Sequence, residues 1–273
     1  MNSNRDFSKL NDDELNAFEE YNSFHIFPPG KTIKILTPTE SMKQMEILLK
    51  YPALKNFESL FPNYYLNNFD IRSNKLDYIR KLQLFIELLQ DKDITERNIL
   101  NFIRAYDAQF IISSVLKFTN YGHHDRYIFQ EVSLPPDHQA DFLIVGKNSH
   151  GYHFLLVELE NPYNSITIKD GNFGATIRKG ITQIDDWKIW MDKNFSTFNS
   201  VLSKLKGPNV LLPIEFFEYD NTRFQYVVIA GRRDDFSEKT YRASRSLQGQ
   251  GKILIHYDNL IDEARNIIDA GRY

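Results

Sequence analysis

Asp141-Phe-Leu-Ile-Val145, a turn over 146–151, and His153-Phe-Leu-Leu-Val-Glu158-Leu-Glu160 together set three carboxylates into two otherwise apolar strands. Asp141 opens the first strand, and Glu158 and Glu160 close the second, where Asn161 and Pro162 stop it. Strands this rich in Phe, Leu, Ile and Val read as buried on both faces, and an ionised carboxylate there is costly unless something cationic compensates it. A divalent metal is the simplest compensation.

Placing Val145 opposite Tyr152 in an antiparallel hairpin makes Asp141 face Leu156, with Glu158 its diagonal neighbour on the same face. Diagonal side chains start about 7 Å apart, a gap two carboxylates can close around one Mg²⁺ through bonds of roughly 2 Å. A slip of one residue would send the acids to opposite faces and remove the site. Glu160 shares the face of Glu158 through the strand period of two, while Leu159 points the other way into packing.

Outward from the hairpin, a third strand is expected at 127–134, joined to 140–145 by Pro135-Pro136-Asp137. A helix over 95–118 precedes it, with Thr95 or Asp93 to cap its start and Glu96 in the first turn. After the hairpin come a helix at 175–194, a strand at 224–230, a helix at 237–248, a short strand at 252–256 and a terminal helix at 259–270. This order predicts an α/β fold, a mixed sheet flanked by helices, over residues 95–273. Residues 1–94 read as a helical accessory region with helices at 12–21, 40–57 and 75–89, the first two separated by Pro28, Pro29 and Gly30. Leu76, Ile79, Leu82, Phe85 and Leu88 give the third its apolar stripe.

The 273 residues suffice to bury a full core, and 42% hydrophobic with 25% charged content is that of an ordinary globular chain. With no cysteine, disulfides, thiolate metal sites and a cysteine nucleophile are excluded, leaving carboxylate, His and amide groups as ligands. No apolar run approaches membrane-spanning length and the amino terminus lacks the apolar core of a secretory signal, so no membrane partner and cytoplasmic residence are expected. A net charge of −3 argues against coating nucleic acid by charge alone. Between 231 and 252, however, six basic residues stand against three acidic ones. Arg232, Arg233, Arg242 and Arg245 are the candidates for phosphate contact.

Phosphodiester hydrolysis needs an activated water, relief of phosphoryl charge and help for the leaving oxygen, and carboxylate-held Mg²⁺ or Mn²⁺ can supply all three. Asp141 and Glu158 have the right chemistry to hold the ion. Glu160 is available as a further ligand through water or as a general base. On the helix after the hairpin, Ile177, Ile181, Ile184 and Met191 form the buried stripe, and Lys179 and Gln183 share a neighbouring face beside Trp187 and Trp190. There Gln183 can donate to a carboxylate or a phosphate. The bland alternative for each acid is an exposed group or an Arg partner. Glu131 on the neighbouring strand is a weaker candidate, and the seven histidines, His138 among them, lack paired metal-ligand spacing.

Asp141, a hairpin, Glu158-Leu-Glu160 and a helix bearing Gln183-Ile-Asp-Asp-Trp187 together resemble the PD-(D/E)XK nuclease superfamily. The ELENP segment, VVIAGRRDDF at 227–236 and KILIHYDNLIDEAR at 252–265 are similar to the C-terminal nuclease domain of the Shedu antiphage defence proteins. The likeness covers about 95–265. It implies a restriction-endonuclease-like fold and a Mg²⁺- or Mn²⁺-dependent DNA endonuclease, usually a homo-oligomer. Asp141 and Glu158 match the metal-binding acids and Gln183 the helix glutamine. At the family's lysine this chain has Glu160, so ELK reads ELE, a residue some restriction enzymes of the superfamily also carry. Lys179, one turn before Gln183, is a substitute charge if it reaches the site. Two other readings stand beside the nuclease: a nuclease-like subunit that binds or senses DNA without cutting it, and an interaction scaffold whose acids are surface groups.

Overall fold

The computed structural model describes residues 5–24, 36–208 and 210–273. The expected break at Pro28, Pro29 and Gly30 lies outside them. Helix α1 (Asp12–Ser23) starts on a capping box of Asn11 and Glu14, and α2 (Pro38–Lys50) on one of Thr37 and Glu40. Each box satisfies two backbone donors that the first turn leaves open. The helix expected over 40–57 is two. Tyr51, held out of the helical region (φ −127°, ψ 68°) before Pro52, separates α2 from α3 (Ala53–Phe57). Short α4 (Asn68–Ser73) leads into α5 (Lys75–Leu88), as the apolar stripe predicts.

The helix expected over 95–118 is likewise broken, into α6 (Glu96–Ala105), α7 (Gln109–Ser113) and a 3₁₀ turn at Ser114–Phe118. Asp107 sits at the break in the left-handed region (φ 48°), a conformation that Asp tolerates better than most residues. Thr95 caps α6.

Strands β1 (Arg126–Leu134), β2 (His138–Asn148) and β3 (Gly151–Leu159) form an antiparallel meander. Helix α8 (Ala175–Ser203) then crosses to β4 (Phe224–Ile229), and α9 (Glu238–Gln248) to β5 (Lys252–Ile255). Both late strands add in parallel, giving the order β1-β2-β3-β4-β5, and α10 (Tyr257–Ala270) follows. This is the restriction-endonuclease-like α/β arrangement, a five-stranded mixed sheet between helical layers.

The central strands are apolar on both faces because both faces are covered. Phe142, Ile144, Leu155, Val157, Val227 and Ile253 pack with α5, α6, α7 and α10. Leu143, Val145, Phe154, Leu156 and Val228 pack with α8 through Ile177, Ile184, Trp187 and Met191. Tyr78, Leu82, Phe85 and Leu89, N-terminal to residue 95, belong to the first of these layers, whereas Ala17, Tyr21, Leu48 and Leu54 form a small cluster of their own. Among the described residues no helix is long and apolar enough to cross a membrane.

Candidate active site

The hairpin register differs from the expected one by two residues: Val145 pairs with Phe154, and Lys147 with Tyr152. An even shift preserves the face of every side chain. It also improves the site. One step beyond the Phe142–Val157 pair, Asp141 stands directly across from Glu158 instead of diagonal to it. Both lie on the α8 face, with Leu143 and Leu156.

Backbone contacts fix each acid. Asp141 Oδ2 accepts the Leu159 N–H at 2.8 Å, across the strand pair. Glu160 continues beyond β3: its N–H donates to the Ile229 carbonyl at 2.8 Å and its carbonyl accepts from Tyr257 Oη at 2.8 Å. Glu158 is 4% exposed and Glu160 2%. Burial pushes both upward from the ordinary carboxylate range, most strongly Glu158, which also feels Asp141 and Glu160. Burial raises Asp141 as well, against the Leu159 hydrogen bond, with Glu160 and Glu96 adding to the rise.

Lys179 reaches the cluster. Its Nζ lies 3.0 Å from Glu160 Oε2, with the lysine side chain 59% exposed and that of Glu160 3%. Close approach of α8 permits this contact, because Gly180 sits where a Cβ would stand 2.7 Å from Val228 Cγ1 and 3.0 Å from Glu160 Cγ. Glu160 is thus ion-paired to a helix cation.

Sequence reasoning assigned Glu96 only to the helix dipole, but its charge acts on Asp141, Glu158 and Glu160 alike. The carrier is Asn161 of ELENP: its Nδ2 donates to the Ile94 carbonyl at 3.0 Å, tying the end of β3 to the segment entering α6. An Asn ending an acidic strand was the available signal.

Gln183 lies one turn beyond Lys179 in a groove of about 470 Å³ lined also by His138 and Trp187. Its amide has no partner among the described residues. Trp187 is wholly buried and Trp190 nearly so, with Trp190 Nε1 donating to the Pro135 carbonyl at 2.9 Å. Glu131 does not join the acids. It stands at the register position of Asp141, but at φ 53° and ion-paired with Arg97 and Arg104 of α6.

The arginines divide. Arg232 grips Asp258 through Nε (3.1 Å) and Nη2 (2.7 Å), and its Nη1 donates to the Leu89 carbonyl and Tyr163 Oη. Arg233 pairs with Asp262 and Arg245 with Glu238, while Arg242 is exposed. The GRR and HYDN segments therefore join each other.

Among the described residues, Glu158 Oε2 and Glu160 Oε1 are buried without a hydrogen-bond partner. Unpartnered carboxylate oxygens beside Asp141 suit a hard cation chemically. Among the described residues no three His, Asp or Glu side chains converge into a ready-made ligand set, so two carboxylates would hold the ion and leave the other positions to water or substrate.

The family model of the Shedu protein SduA, C-terminal, matches residues 51–261, beginning well before the 95 expected from motifs. No curated protein matches the chain. With most of its length inside that match, this chain belongs to the Shedu SduA C-terminal family.

Proposed function

We propose that the chain is a DNA endonuclease that uses Mg²⁺ or Mn²⁺ to hydrolyse phosphodiester bonds. Family membership supports a role in antiphage defence. The observation that carries the reading is the group of buried acids at the end of β3, where two carboxylate oxygens lack a hydrogen-bond partner among the described residues. Asp141 and Glu158 would hold the ion, which would supply charge relief at the phosphoryl group and activation of water. Glu160, held by Lys179, would accept a proton from the attacking water, and the exposed part of Lys179 would offset the phosphate. Gln183 would orient DNA or water from the groove. Arg242 is the freest of the four arginines for backbone contact, with Arg233 and Arg245 exchanging surface acids for phosphate.

Supercoiled plasmid incubated with the protein and Mn²⁺ should be nicked, and Asp141→Ala should end nicking with the circular dichroism spectrum unchanged. Binding to plasmid without cleavage under either ion would replace the nuclease by a DNA-sensing subunit, the reading that Glu160 at the lysine position favours.

A further inference from the structure

A second polar centre lies at the opposite end of the strands. Arg126 begins β1 and pairs with Gly146, five residues along β2 from Asp141, which is about 17 Å at a rise of about 3.3 Å per residue. It also lies on the other face of the sheet, since its partner Gly146 shares the face of Phe142 and Ile144 in the α10 layer. Arg126 is only 3% exposed, yet among the described residues no carboxylate pairs with it. Its Nη1 donates to Asn68 Oδ1 at 2.7 Å, its guanidinium lies 5.5 Å from the Tyr273 ring centroid, and its Nε is buried with no hydrogen-bond partner among the described residues. Asp125 acts on the guanidinium only through space, and a buried guanidinium without a hydrogen-bonded anion is costly.

Arg126 lies in the wall of a cleft of about 570 Å³ that also takes Arg72, Lys117, His123 and Arg272 in its lining, with no acidic residue among the lining side chains. Arg72 Nε is used by the Gly271 carbonyl at 3.0 Å, but among the described residues neither Arg72, Lys117 nor Arg272 has an ion-pair partner. These cations act on one another: Arg272 and Arg126 both oppose the charge of Lys117, as burial does, and Glu263 alone is the acid that favours it. A phosphate dianion matches the planar donors of arginine. The volume lies within the range of small-molecule sites, roughly 300–1,000 Å³.

We propose that the Arg126 cleft binds the phosphate group of a small molecule, at a site separate from the acid cluster. The full chain would be titrated calorimetrically with inorganic phosphate and with adenosine monophosphate. Saturable one-site binding of either is expected. Equal affinity for the two would mean that the phosphate alone is recognised, and tighter binding of the nucleotide that the cleft takes its nucleoside as well. Lys117→Ala with Arg272→Ala, both exposed positions, should weaken binding at least tenfold, Arg126→Gln more, and Asp141→Asn should leave it unchanged. Failure of both ligands to saturate, undiminished binding to the Lys117/Arg272 double variant, or a response to DNA alone would overturn the proposal. Because the double variant does not touch the buried arginine, the outcome does not depend on whether Arg126→Gln folds.

Discussion

Glu158 is the residue on which two demands conflict. Its carboxyl is buried against Asp141 and Glu160, with one oxygen unpartnered, so in the metal-free protein its charged form is disfavoured. Glu158→Gln keeps the shape and removes the charge. In chelator the variant should be more stable than the parent by about 1–3 kcal/mol, the scale of an unsatisfied buried group, as read by urea unfolding. Mn²⁺ should raise the parent's melting temperature and leave the variant's unmoved. A variant less stable than the parent in chelator would mean that the carboxylate holds the fold together and has no need of an ion. Arg232 makes the opposite case. Sequence reasoning placed it with DNA, yet it is bound to Asp258, Leu89 and Tyr163, and Arg232→Ala should destabilise the fold by about 1.5–3 kcal/mol, the scale of a hydrogen bond to a charged group, by removing the guanidinium donors while Asp258 keeps only the Arg233 N–H. An unchanged unfolding midpoint would return it to the surface.

At the scale of elements, α8 decides whether the site is assembled, and Gly180 decides how closely α8 sits. Alanine in a helix interior normally gains about 1 kcal/mol over glycine, but here its Cβ would stand 2.7 Å from Val228 Cγ1 and 3.0 Å from Glu160 Cγ. Overpacking of that kind costs about 1–3 kcal/mol, so it should outweigh the propensity gain. Gly180→Ala should lower stability and reduce nicking together, by separating Lys179 from Glu160; a more stable, fully active variant would refute the close approach. The strands and α8 were legible because their signals are local: apolar runs ended by Asn-Pro and Gly, and a stripe recurring with helical period. Register was legible only modulo two, since the alternation of faces fixes parity while the Lys147–Tyr152 pairing depends on how the turn closes. The two overlong helices went wrong at Tyr51, where Pro52 was the available signal, and at 106–108, which leave the helical region without interrupting the apolar pattern. Glu96 was hidden for another reason: its place beside the acids depends on Asn161 reaching Ile94, a contact between segments far apart in sequence.

On the scale of the whole molecule, chemistry and packing draw different boundaries. The motifs expected to carry chemistry begin after residue 95, which suggested a separate accessory region before it. Core packing does not stop there. Tyr78, Leu82, Phe85 and Leu89 lie in one cluster with Ile144, Leu155 and Val227 of the sheet and Leu260 and Ala264 of α10. Leu89 also offers its carbonyl to Arg232 and Tyr163, the latter only three residues past Glu160. Full burial of each such apolar side chain contributes about 1.5–3 kcal/mol, so removing four exceeds the margin of about 5–15 kcal/mol that typical proteins hold or consumes most of it. A chain starting at residue 95 should therefore be recovered aggregated, or as an expanded species by size exclusion with no cooperative melt. A chain starting at residue 51 is a different case. It sheds α1 and α2, whose contacts are mainly with α3 and α4 through the small cluster of Ala17, Tyr21, Leu48 and Leu54, and it keeps the whole span matched by the family. It should melt cooperatively and retain nicking. If the chain from 95 instead folds and cuts DNA, the helices before it are an appendage after all, and the sheet is covered on that face by α6, α7 and α10 alone.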